Sequence, residues 1–198
     1  MKERSFMSEK VRCSWSEHNS IYVDYHDNEW GRPVHNDKQL FEMLVLDGMQ
    51  AGLSWLTVLK KREAFREAFD GFDPKRVALY DAAKIQELMT NQKIIKNRLK
   101  INAAVNNAKL FLEIVEKYGS FDKFIWKYVN YKPVIGNWKK IEDIPTTTII
   151  SDKISEDLKN MGFKFVGSTI IYAFMQATGM VNDHITNCFV YKELISTA

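Results

Sequence analysis

Cysteine is scarce: Cys13 and Cys188 are the only two in 198 residues, too few for the disulfide framework of a small secreted domain. Met1–Arg12 carries no secretory pattern; it is charged and polar, the composition of a flexible or expression-derived leader. Long hydrophobic runs are also missing. The most apolar uncharged stretch, Phe165–Val181, spans seventeen residues and includes Gly167, Ser168, Thr169, Gln176 and Gly179, short and polar for a membrane span. A buried helix with its approach turn fits it better, so a cytoplasmic protein without a membrane partner is expected. Four prolines and nine glycines exclude a collagen-like or low-complexity chain. The charge is nearly balanced, 28 Lys and Arg against 25 Asp and Glu for a net +3, which suits a polyanionic partner without identifying one.

The chain does carry an ordinary globular composition, 45% hydrophobic and 13% aromatic, enough for a sizeable core. The expected division is a leader at 1–12, a single domain at 13–190 and a tail at 191–198. Apolar spacing is helical almost throughout. Asn36 or Asp37, Ser54, Asp81 and Ser120 are placed to cap helices, and Asp73-Pro74 opens one with proline at its first position. A long helix is expected over Arg98–Tyr118 with Gly119 at its end, and another from Ser151 and Asp152 to Gly162. The segment from Ser54 through Val58, Leu59, Phe65 and Phe69 reads as one helix stopped by Gly71. With no sustained alternation of polar and apolar residues, the fold class is all-α.

Each cysteine comes with a histidine. Cys13 and His26 bracket twelve residues, and His184 and Cys188 stand four apart, a spacing that shares a face on a helix. Two thiolates and two imidazoles complete a tetrahedral zinc set without an open position, hence a structural rather than a catalytic metal. A Cys13–Cys188 disulfide, or two inert buried thiols, are the other readings of the spacing.

Four aromatics, Trp15, Tyr22, Tyr25 and Trp30, fall within sixteen residues of a polar segment. Core packing competes there with a stacking pocket for a flat, and preferably cationic, base. Gln50-Ala51-Gly52-Leu53-Ser54-Trp55 is a small-residue turn before a helix. Gly162-Phe163-Lys164-Phe165-Val166-Gly167-Ser168-Thr169 is a glycine-bounded hairpin whose free N–H groups could take a phosphate oxygen. The basic runs Lys60-Lys61-Arg62 and Lys93, Lys96, Arg98 and Lys100 read as solvated helix faces that could supplement contact with nucleic acid.

Together, Tyr-His-Asp-Asn-Glu-Trp-Gly at 25–31, Gln-Ala-Gly-Leu-Ser-Trp at 50–55, Gly-Phe-Lys-Phe-Val-Gly at 162–167 and Val-Asn-Asp-His at 181–184 resemble the DNA-3-methyladenine glycosylase I family. This is a bacterial branch of the helix–hairpin–helix glycosylases, and the resemblance runs from Cys13 to about Cys188. It implies a zinc on Cys13, His26, His184 and Cys188, joining the N- and C-terminal segments. It implies a base pocket of Trp15, Tyr22, Tyr25 and Trp55 with Trp30 beside it. Gly52 and Leu53 would fill the gap left in the duplex, and Lys164, Phe165, Gly167, Ser168 and Thr169 would contact the phosphate backbone. The implied activity is monofunctional excision of N3-methyladenine from double-stranded alkylated DNA by a monomer, near the nucleoid, with free 3-methyladenine as product.

One position departs from the family pattern. A base-recognising Glu usually precedes the Gln-Ala-Gly-Leu-Ser-Trp motif in a Leu-Glu-Gly segment, whereas here the chain reads Leu46-Asp47-Gly48. Asp47 is the expected catalytic-site carboxylate, one methylene shorter. The rival from another class is a zinc-stabilised module that binds damaged DNA without excision. A bifunctional lyase is disfavoured because no lysine falls within the matched pocket motifs.

Overall fold

The computed structural model describes residues 10–196, so residues 1–9 of the expected leader lie outside the described residues. The helices are α1 (Ser20–Asn28), α2 (Asp37–Gln50), α3 (Trp55–Leu59), α4 (Arg62–Ala68), α5 (Pro74–Val77), α6 (Ala82–Thr90), α7 (Arg98–Tyr118), α8 (Phe121–Trp126), α9 (Ile149–Asn160), α10 (Ser168–Ala177) and α11 (Phe189–Ser196). The all-α reading holds. The described residues add only short 3-10 turns and two parallel two-residue strands, β1 (Val134–Ile135) and β2 (Val181–Asn182), paired Val134 with Val181 and Ile135 with Asn182. No described helix is long and apolar enough to cross a membrane.

The middle of the fold is α2, whose residues from Leu40 to Met49 are all buried. A helix apolar on nearly every side must be surrounded, and α3, α7, α8 and α10 pack around it. Its N-cap is Asn36, which accepts from the Gln39 amide. Asp37 instead accepts from the amides of Phe121 and Asp122, at 3.0 and 2.8 Å, so it caps α8. At the other end, Lys100 of α7 donates to the carbonyls of Met49 and Ala51, at 2.9 and 2.5 Å. Those carbonyls have no partner within the helix.

Two expected helices are redrawn. The single helix from Ser54 to Phe69 breaks at Lys60–Lys61 into α3 and α4, where the Lys61 amide bonds back to Val58. That bend leaves Trp55 against Tyr25 while Phe65 and Phe69 enter the core. The helix expected from Ser151 and Asp152 starts earlier, because Thr148 and Ser151 form a reciprocal capping box.

Helices α9 and α10 pack together and are joined by the glycine-bounded hairpin. Asn107 of α7 holds that hairpin through both edges of one residue, accepting from the Lys164 amide at 2.9 Å and donating to its carbonyl at 2.8 Å. Asn106 donates to the Gly162 carbonyl at 3.0 Å. The first described residues pack back onto the fold: the Phe189 amide donates to the Val11 carbonyl at 2.9 Å, and Arg12 pairs with Asp27 at 2.7 Å. The segment expected as a tail from residue 191 continues α11 to Ser196.

Candidate active site and metal centre

Cys13, His26, His184 and Cys188 converge, fully buried, with one ligand atom of each within 4.8 Å of all the others. Both cysteines are free thiols, so the disulfide reading is set aside. Cys13 Sγ and Cys188 Sγ each lie 3.6 Å from His184 Nδ1, and Cys188 Sγ lies 3.5 Å from His26 Nε2. Metal–sulfur and metal–nitrogen bonds of about 2.3 and 2.0 Å predict tetrahedral S···N edges of about 3.5 Å. These three edges therefore already have the length a four-coordinate ion requires.

The far nitrogens of both imidazoles are occupied too. His26 Nδ1 is 2.8 Å from Asp27 Oδ1, and His184 Nε2 is 2.9 Å from the Trp30 carbonyl. Such partners fix each ring as a donor on the outer side, leaving the inner nitrogen free to ligate. His184 and Cys188 do not share a helix face. They are joined by a turn in which the Cys188 amide bonds to the Ile185 carbonyl at 2.8 Å, just ahead of α11. The buried group can hold a metal ion.

Beside this centre lies a cavity of about 280 Å³ lined by Trp15, Tyr22, Tyr25, Trp30, Asp47, Gln50, Trp55, Ala173, Gln176 and Ala177. All six residues expected at the base pocket are thus brought together. The rings brace one another: Trp15 meets Tyr22 edge-on at 5.4 Å and Trp30 at 5.1 Å, and Tyr25 lies 5.6 Å from Trp55. The Tyr22 hydroxyl accepts from the Leu56 amide at 2.9 Å, which pins the start of α3, and with it Trp55, to α1.

Asp47 stands on α2, 3% exposed, and its Oδ2 has no hydrogen-bond partner. Burial raises its pKa well above the usual carboxylate range, opposed by the charge of Arg62. Arg62 itself bonds Glu42 and Glu29 at 2.6 Å each, so it reaches Asp47 only as a distant charge. The Trp55 Nε1 donor is also buried and unpartnered. Buried polar atoms are normally satisfied, and two orphans on residues that line one cavity, one acceptor and one donor, are what a bound polar ring would satisfy.

The residues expected to touch DNA share one flank of the molecule. Gly52, with a φ of +77°, and Leu53, 42% exposed, form the turn after α2. Lys164 and Thr169 are exposed, while Phe165, Gly167 and Ser168 are half-buried. Phe165 holds a left-handed φ of +55° and packs its Cβ 3.4 Å from the Cβ position at Gly48. Lys100 sits between turn and hairpin, its ammonium 6.0 Å from the Phe165 ring.

Sequence reasoning had not named Gln50, Ala173, Gln176 or Ala177 as cavity residues. The last three recur at helical spacing on α10, a pattern that reads as plain core; the one polar residue in that stripe was the available signal.

The comparisons agree with this arrangement. Residues 15–191 match the family profile described as methyladenine glycosylase. The chain is 48% identical over 178 residues to the DNA-3-methyladenine glycosylase of Haemophilus influenzae, covering 90% of this chain and 96% of that protein. A crystal structure of 3-methyladenine DNA glycosylase I superimposes with a TM-score of 0.87 at 48% identity, covering 90% of this chain and 98% of the other. A variant of 3-methyladenine DNA glycosylase I in complex with 3-methyladenine gives 0.87 at 41% identity, covering 90% and 96%. With the profile spanning nearly the whole domain and the aromatic cavity formed, the chain belongs to the methyladenine glycosylase family.

Proposed function

We propose that this chain excises N3-methyladenine from alkylated double-stranded DNA, holding the extruded base in the aromatic cavity against Asp47. The observation that carries the reading is the buried, unpartnered Asp47 Oδ2 inside a ring-lined cavity. A cationic base supplies both the rings' preferred partner and the carboxylate's missing hydrogen bond.

The chemistry asks little acid catalysis of the protein. N3-methylation puts a delocalised positive charge on adenine, so when the C1′–N9 bond breaks its electron pair leaves with a neutral base. Water adds at C1′ of the oxocarbenium-like sugar and loses a proton, which leaves an abasic site. What the enzyme supplies is extrusion and stabilisation of that charge distribution. Trp15, Tyr22, Tyr25 and Trp55 stack and enclose the ring, Trp30 closes the wall toward the metal centre, and Asp47 accepts from the base edge. Gly52 and Leu53 fill the vacated stack. Lys164, Phe165, Gly167, Ser168 and Thr169, in a hairpin held by Asn107, meet the phosphate backbone in the manner of a helix–hairpin–helix.

The quartet Cys13, His26, His184 and Cys188 would hold one zinc. A four-ligand zinc has no open position, so it serves the fold by joining the chain's two ends. The enzyme works as a monomer in the cytoplasm, and the bacterial origin of its relative supports the location.

The deciding assay incubates purified protein with methylated duplex DNA and separates released bases by chromatography. Release of 3-methyladenine is expected. Tight binding to abasic-site DNA without any released base would overturn the reading in favour of a damage-binding module.

A further inference from the structure

Asp183, 3% exposed and next in the chain to His184, accepts three hydrogen bonds. Trp138 Nε1 donates to Oδ1 at 2.6 Å, while the Tyr172 hydroxyl and Gln176 Nε2 donate to Oδ2 at 2.5 and 2.9 Å. A carboxylate only accepts, whereas a glutamine amide has one donating and one accepting end. Asp183 therefore sets which way round the Gln176 amide sits: Nε2 toward Asp183, Oε1 away. The Gln176 backbone is held as well, its carbonyl accepting from the Gly31 amide at 3.0 Å.

Gln176 lines the same cavity as Asp47, between the small side chains of Ala173 and Ala177. Its Oε1 makes no hydrogen bond to any described residue. The cavity thus offers a ligand two acceptors, Asp47 Oδ2 and Gln176 Oε1, on different helices. We infer that Gln176, its amide set by Asp183, is a specificity-determining residue that accepts from the exocyclic amine at purine position 6. This rests on the cavity being the base pocket. An adenine amine has two protons for two acceptors; a guanine places an acceptor oxygen at the same position. An acceptor facing an acceptor leaves both without a partner, and sites built around a hydrogen bond reject the analogue that cannot make it.

The test compares single-turnover release of 3-methyladenine and 3-methylguanine from methylated duplex DNA by the unmutated protein, Gln176→Met and Asp47→Asn. Methionine keeps the length and loses the acceptor. In Gln176→Met, 3-methyladenine release should fall about tenfold, the size of one good hydrogen bond to a cationic group, while 3-methylguanine release holds or rises. An unchanged ratio between the two bases, or a parallel fall in both, overturns the inference. If Asp47→Asn also excises at full rate, the base-pocket reading itself has failed. If Asp47→Asn is impaired while Gln176→Met keeps the original ratio, only the role of Gln176 has failed. Should Gln176→Met not fold, the unmutated protein still decides the point. Its Gln176 side-chain carbonyl ¹³C resonance should shift when 3-methyladenine is added, and no shift at saturation overturns the inference.

Discussion

His184 Nε2 lies 2.9 Å from the carbonyl oxygen of Trp30, and the two rings meet edge-on at 4.5 Å. Trp30 is at once the outer partner of a histidine in the Cys/His quartet and a wall of the aromatic cavity. The quartet that brings Cys13 and Cys188 together therefore also adjoins the pocket wall.

Metal analysis of protein purified without chelator should return one zinc per chain. Binding energy at a site absent from the unfolded chain is folding energy. Cys188→Ala, or prolonged chelation, should lower the thermal midpoint by about 10 °C or more, since several kcal/mol are at stake in a domain of this size. Tryptophan emission should change with it, because Trp15 and Trp30 adjoin the centre. Metal-free protein with an undiminished midpoint would refute the assignment.

Gly31 gives a sharper probe of the same contact. Its φ is +78°, and a Cβ there would sit 2.9 Å from His184 Nε2. Gly31→Ala combines a left-handed backbone, costing about 1–2 kcal/mol, with a collision against a ligand ring. Urea denaturation should show a loss of more than about 2 kcal/mol, with weaker zinc retention. A loss below the backbone cost alone would mean that the ring is free to move.

The Asp47 carboxyl has its pKa raised by burial, and the sign of its pH effect follows. Between its ordinary value of about 3.9 and the raised folded value, the folded protein holds a proton that the unfolded chain has released. Its contribution to stability is therefore complete below about pH 4 and is lost as pH rises toward the folded pKa. Asp47→Asn should be more stable than the unmutated protein at pH 7 and lack that slope. Function runs the other way: a base in DNA keeps its methyl-derived charge at every pH, and only ionised Asp47 attracts it. Single-turnover excision should climb with pH across the Asp47 titration and be low and flat in Asp47→Asn. Asp47→Glu, which restores the reach of the usual family residue into the cavity, should retain excision. Full, pH-matched activity in Asp47→Asn would move the carboxylate's role elsewhere.

Much of this architecture was legible because it is set locally. Asn36, Ser54, Asp73, Asp81 and Ser120 cap the helices their positions announced, and Gly119 ends α7 with a left-handed φ of +86°. Trp15, Tyr22, Tyr25 and Trp30 were legible as four aromatics in a polar segment and the Cys/His quartet by its paired spacing, whereas Trp55 and Asp47 were placed at the pocket by the family resemblance alone. Tertiary decisions were not readable. The bend at Lys60–Lys61 follows from where Trp55 and Phe65 each have to pack, and Asp37 caps a helix 84 residues away. Asp183 looked like a motif residue without a task until folding placed Trp138, Tyr172 and Gln176 around it.

Lys100 was legible only as one charge in a basic run, yet it is 8% exposed. No carboxylate among the described residues pairs with it. Burial lowers its pKa, while the carbonyls of Met49 and Ala51 at the end of α2 favour the cation, as helix C-termini do. Those two bonds hold the turn that carries Gly52 and Leu53 against the side of the hairpin. Lys100→Met keeps the packed stem and removes the donors, freeing two carbonyls at a cost of about 1–3 kcal/mol. Neither the aromatic walls nor Asp47 is touched, so free 3-methyladenine should still quench tryptophan emission with nearly unchanged affinity. Excision from duplex DNA should fall by at least about tenfold if Gly52 and Leu53 fill the vacated stack as proposed, since misplacing them loses the geometry that keeps the nucleotide extruded. Equal losses in free-base affinity and excision would show that Lys100 supports the pocket rather than the turn, and unchanged excision would remove it from the reaction altogether.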